Sequence, residues 1–141
     1  MGYLCVYKDN REDLELQIMH KSKKENFLEL GKVHGNVLGV ILRNYRVLKM
    51  LEYKVAFGYV ALDDKTYLRT VVLTKNENVI DINRHLHKEV EDNTYHIVME
   101  ININEYLDTL VKGNGSIIFW DREEERQWEK YFKKQGITLI K

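Results

Sequence analysis

The densest run of β-branched and aromatic residues extends from Tyr53 to Thr74, and a single polar break, Asp63-Asp64-Lys65, divides it. Two such runs around a short polar segment predict a hairpin. Alternate residues of a strand face opposite sides, so Tyr53, Val55, Phe57, Tyr59 and Ala61 share one face of its first strand. Lys54, Ala56, Gly58, Val60 and Leu62 share the other. Neither face is wholly polar, which predicts cover on both. Gly58 has no side chain to pack and is expected to mark a bulge or a close approach of another element. The register stays open: a two- or four-residue loop pairs Leu62 with Tyr67, and a three-residue loop pairs Leu62 with Thr66.

The rest of the chain is organised around that hairpin. Tyr3–Tyr7 and Leu14–Met19 read as strands with a polar connection. Ser22-Lys23-Lys24-Glu25 has capping-box spacing and predicts a helix ending at Gly31. The glycines between Gly31 and Gly39 suggest a turn, and match neither a Walker loop nor a dinucleotide fingerprint. Asn36 is expected to cap a helix reaching about Leu51, with Leu38, Ile41, Leu42, Tyr45 and Leu48 inward. A buried strand over Val37–Leu42 is the alternative. Lys75-Asn76-Glu77-Asn78 reads as a turn, and in the following stretch, Val79 to His87, Val79, Ile80 and Ile82 read as the end of a strand or the opening of a loop. Thr94–Ile101 reads as a strand with Tyr95, Ile97, Met99 and Ile101 on one face.

Asn102-Ile103-Asn104-Glu105 is a second capping box, opening an amphipathic helix whose apolar residues are Ile103, Tyr106, Leu107, Leu110 and Val111. Ile117–Trp120 reads as a buried strand. Asp121 caps a last helix with Trp128, Tyr131 and Phe132 inward, which Gly136 ends before a final strand, Ile137–Ile140. The two last strands can be parallel if they are adjacent. The pattern as a whole predicts one α+β domain over residues 1–141: a mixed, mostly antiparallel sheet around the central hairpin (53–74) with about four helices packed on it.

Composition narrows the functional classes. The 141 residues carry 22 basic and 22 acidic side chains, so net charge gives no reason to expect a nucleic-acid or membrane partner. Cys5 is the single cysteine, which excludes an internal disulfide and fits a reducing cytoplasm. No signal-peptide order opens the chain. Proline is absent, whereas average usage would supply about seven. With Lys, Asn, Ile and Tyr abundant, this suggests an AT-rich bacterial or phage genome.

Local charge gives the only patch. Residues 32–54 hold five basic residues and one acidic, and Arg43, Arg46 and Lys49 recur three apart on one helix side. With Tyr45, and with Tyr59, Tyr67 and Arg69 of the hairpin, these are the expected ligand- or partner-binding residues, through stacking and anion contacts. No catalytic motif, cofactor motif or metal signature stands out. His85 and His87, with His96 and Glu100 of a later strand, would make a metal or acid–base site if they converge. Cys5, in an apolar strand, reads as a core residue.

Three functions are therefore expected, in this order. The first is a non-catalytic protein-binding protein of immunity, inhibitor or counter-defence type. The second is a binder of a small molecule or nucleotide. The third is a small enzyme using His/Glu pairs. Apolar side chains on both faces of the hairpin, and an Ile137–Ile140 edge without proline, also suggest a homodimer.

Overall fold

The computed structural model describes residues 5–8, 33–81, 94–112 and 122–140. Their order is β1 (Cys5–Lys8), α1 (Val33–Arg43), α2 (Tyr45–Met50), β2 (Lys54–Ala61), β3 (Thr66–Lys75), β4 (Asn78–Ile80), β5 (Thr94–Asn102), α3 (Ile103–Lys112), α4 (Arg122–Lys134) and β6 (Thr138–Ile140). This is the expected α+β class. Among the described residues the six strands form one mixed sheet. The expected strands Leu14–Met19 and Ile117–Trp120, the helix after Ser22, and Asp121 lie outside the described residues.

The hairpin is central. β2 and β3 pair antiparallel from Lys54↔Thr74 to Ala61↔Tyr67. Leu62 N–H donates to Thr66 O at 2.9 Å, so the loop is the three-residue one. Asp63 closes it by accepting from Lys65 N–H at 2.8 Å. β2 also pairs with β5, which pairs with β1; β1 meets β4 in parallel at Lys8↔Asn78, and β4 pairs back to β3. The pairings thus return to their starting strand. β6 adds in parallel to the start of β3, Thr66↔Thr138 to Leu68↔Ile140.

Both faces of β2 are buried within the one chain, as its composition requires. Ala56, Val60, Val72, Val79, Tyr95 and Ile97 pack together on the inner face of this curled sheet. On the outer face, Val55, Phe57, Val71, Leu73 and Ile80 receive Val37, Val40 and Ile41 of α1, Leu48 of α2, and Ile103, Tyr106 and Leu110 of α3. Further along that face Tyr59 and Val98 receive Trp128 and Phe132 of α4.

Gly58 sets the geometry of β5. The β2–β5 register is Phe57↔Met99 and then Gly58↔Ile97, so Val98 is an extra residue and the strand bulges there. The expected single face of Tyr95, Ile97, Met99 and Ile101 is therefore divided. Tyr95 and Ile97 join the inner cluster, and Met99 and Ile101 pack against the helix-facing one. One inserted residue exchanges the two sides of everything beyond it.

The first helical region differs from expectation. α1 begins at Val33, contains Gly35 and Gly39, and leaves Asn36 buried inside it rather than at its cap. Val37, Val40 and Ile41 form its fully buried stripe, while Leu42 is 60% exposed. Burial of that i, i+3, i+4 stripe outweighs the weak helix preference of glycine, about 1 kcal/mol per residue. Asn44 then interrupts the helix: its Nδ2 donates to Val40 O at 2.9 Å. Competing side-chain bonds of this kind are how Asn breaks helices.

The later helices match their signals. Asn102 caps α3 in a side-chain variant of the capping box: Glu105 N–H donates to Asn102 Oδ1 at 2.8 Å, and Asn102 Nδ2, rather than its backbone N–H, donates to Glu105 Oε1 at 2.7 Å. α4 ends in Gly136, at φ 78°, with Ile137 N–H donating to Phe132 O at 2.9 Å, a Schellman ending. Within α4, Trp128 and Phe132 are buried, but Tyr131 is 38% exposed and falls off the inward stripe. No described helix is long and apolar enough to cross a membrane.

Candidate functional site

A cavity of about 710 Å³ opens at the end of the sheet where β2 begins and β3 and β5 end. That volume lies within the usual range for small-molecule sites, roughly 300–1,000 Å³. From β5 the cavity is lined by Glu100 and Asn102, whose facing is set by the bulge at Val98. Because Glu100 pairs with Ala56, its side chain lies on the inner face. Tyr7 reaches that face from β1, and Thr74 from β3. Tyr7 Oη donates to Glu100 Oε1, and Thr74 Oγ1 donates to Oε2 at 2.8 Å. Both oxygens of the carboxylate are thus held from strands far apart in sequence.

The walls mix apolar and charged groups. Leu51, Tyr53 and Ile103 line one part of the cavity. Lys75 Nζ sits 5.4 Å from the centroid of the Tyr53 ring, and Lys49 Nζ sits 5.7 Å from that of Tyr45, both within cation–π reach. Glu52, Asn76 and Glu77 line the cavity as well. These three are the non-glycine residues with positive φ among those described, at 61°, 50° and 66°. Glu52 occupies the left-handed position after α2, where Tyr53 N–H donates to Leu48 O at 2.9 Å. Asn76 and Glu77 make the two-residue turn between Lys75 and Asn78. Such positions favour glycine or asparagine, and each costs a glutamate roughly 1–2 kcal/mol.

The residues expected to bind from sequence fall into two separate places. Lys49 lines the cavity, and Tyr45 stands beside it, its hydroxyl donating to Asn104 Oδ1 at 2.7 Å. Arg43 and Arg46 are exposed on the helices. Arg43 donates back to Gly39 O at 3.2 Å. Tyr59, Tyr67 and Arg69 lie on the other part of the outer face, under α4. Arg69 pairs with Glu125 at 2.7 Å. Tyr67 stacks on His96 with ring centroids 4.7 Å apart, and Phe132 meets Tyr59 edge-on at 5.0 Å.

Burial there pushes the Tyr59 phenol up to about 12, with the Glu125 carboxylate adding to the effect. Burial also raises Tyr67 and lowers His96. Among the described residues His96 Nδ1 and Trp128 Nε1 are buried without a hydrogen-bond partner.

His96 and Glu100 do not come together. His96 pairs with Tyr59 on the outer face and Glu100 with Ala56 on the inner one. His85 and His87 lie outside the described residues. Among the described residues no group of three or more His, Cys, Asp or Glu side chains could hold a metal ion. Cys5 is half-buried against the inner cluster.

Sequence reasoning missed the Tyr7–Glu100–Thr74 cluster and a second inner carboxylate, Asp81, which is fully buried and accepts from Tyr95 Oη at 2.8 Å. Gly58 was the available signal for the first, because a bulge beside it turns Glu100 inward. Comparison with known proteins found no matching family model, no matching curated protein and no matching solved structure.

Proposed function

We propose that the protein binds a small molecule in the cleft above Glu100. The observation that carries this reading is where the backbone strain lies. Glu52, Asn76 and Glu77 hold left-handed conformations, and all three line the same cleft. Glycine would relieve the strain at Glu52 and Glu77, whereas asparagine adopts this conformation readily. Two of the three are glutamates, side chains with no preference of their own for that conformation. Strain of this kind gathers at ligand sites, where the side chain is kept for its chemistry.

A thermal-shift screen of amino acids, sugars and nucleotides tests the reading. At least one class is expected to raise the melting temperature of the wild type and to raise it less in the Glu52→Gly, Glu77→Gly double variant. If every compound shifts both proteins alike, the cleft is not a ligand site.

A second reading, binding of a protein partner, is favoured by a different surface. Leu42 is 60% exposed, Met50 74% and Val47 37%, and Arg43 and Arg46 lie exposed among them. Methionine and arginine are enriched at protein interfaces. Replacing Arg43 and Arg46 by Glu leaves the fold intact in this reading and abolishes capture of the partner. Unchanged affinity and salt dependence in that variant would leave the surface as a solvated face.

A further inference from the structure

We propose that the ligand is a zwitterion of amino-acid to dipeptide size, its ammonium group on Glu100 and its carboxylate at the lysines of the rim. The proposal rests on the cleft being a ligand site. Glu100 presents a fixed negative charge. Tyr7 and Thr74 each occupy one oxygen, which sets the plane of the carboxylate and leaves each oxygen a further lone pair. Both partners are neutral hydroxyls. Among the described residues no cation forms an ion pair with Glu100, which leaves the carboxylate open to a cationic group in the cleft. A primary ammonium supplies both the missing charge and donors for the remaining lone pairs.

The rim shows the opposite deficiency. Lys49 and Lys75 rest over tyrosine rings rather than against carboxylates, and neither has an anionic partner among the described residues. A cation over an aromatic face is attracted by the ring quadrupole without being neutralised by an anion. Overall the lining balances, with Lys49, Lys54 and Lys75 against Glu52, Glu77 and Glu100. That balance disfavours a polyanion such as a nucleoside triphosphate, and equally a polyamine. A ligand carrying one charge of each sign satisfies both ends. Leu51, Tyr53 and Ile103 offer it an apolar wall, and about 710 Å³ leaves room for a dipeptide with an aliphatic side chain.

Calorimetry on the whole chain with glycyl-leucine and leucine, and with their N-acetylated and C-amidated forms, tests the proposal. Saturable binding is expected for the zwitterions. N-acetylation is expected to weaken it ten-fold or more, and amidation several-fold. Glu100→Gln should remove the discrimination against the N-acetylated form. Lys75→Met, which leaves the Tyr7–Glu100–Thr74 cluster untouched, should reduce the discrimination against the amide, and Lys49→Met with Lys75→Met should remove it; thermal melts establish that the variants are folded. Equal affinity for free and N-acetylated forms overturns the proposal. A sugar or nucleotide that binds, and is lost in the Glu52→Gly, Glu77→Gly variant, overturns the zwitterion but upholds the ligand site. Absence of saturable binding by any of these classes overturns both.

Discussion

Gly58 of β2 lies directly against the main chain of His96 in β5. A Cβ at position 58 would stand 3.0 Å from the His96 carbonyl carbon and 3.0 Å from Ile97 Cα, and nearer still to the His96 oxygen. The obstacle is backbone, which cannot rotate aside. Gly58→Ala is therefore expected to cost about 3 kcal/mol, the upper part of the usual overpacking range. Urea melts measure it. A loss below about 0.5 kcal/mol would mean that β2 and β5 can separate freely at the bulge.

Trp128 and Phe132 attach α4 to the sheet. Trp128 is 2% exposed, and Trp128→Ala is expected to cost about 3–5 kcal/mol, the range for a buried large aromatic. Tyr131→Ala, at a position 38% exposed, should cost under about 1 kcal/mol. The contrast between the two variants in the same denaturant series is the test. Equal losses would place the inward stripe of α4 elsewhere.

The acidic limb of stability should carry a contribution from His96. Burial holds its folded-state pKa below the ordinary value, about 6.5 in the unfolded chain. The unfolded state then binds the proton first as pH falls. Stability contributed by the neutral imidazole is full above about pH 7 and is lost as pH drops through 6.5 toward the folded-state pKa. His96→Gln should flatten the slope between pH 7 and 5 relative to wild type. Identical slopes in chemical denaturation across that interval would show that His96 titrates alike in both states.

Relieving the strain at the cleft should stabilise the protein. Glu77 at φ 66° follows Asn76 at φ 50° in the β3–β4 turn, and Asn-Gly is the favoured pair for a turn with two positive φ values. Glu77→Gly is expected to add about 1 kcal/mol: the penalty of a left-handed L-residue is removed, and part of the gain is offset by the freedom of glycine in the unfolded chain. The melting temperature should rise while ligand affinity falls. A lower melting temperature would mean that the Glu77 side chain itself supports the fold.

Much of the architecture was legible along the chain. The hairpin, the capping box Asn102–Glu105, the apolar stripe of α3, the stop at Gly136 and the oddity of Gly58 are all local. Each is decided by propensity, capping or side-chain periodicity over a few residues, which the α+β class then follows. The three-residue loop was not legible, because Asp63-Asp64-Lys65 lacks the glycine that would select a turn; the pairing of both strands with their neighbours chose it. The path of α1 was not legible either, since burial of Val37, Val40 and Ile41 overrode two glycines. The cleft was decided last and by tertiary structure alone. Tyr7, Thr74 and Glu100 are separated by tens of residues, and none carries a local signal. Only the bulge opposite Gly58, which exchanges the two sides of β5, turns Glu100 away from His96 and toward the hydroxyls that hold it.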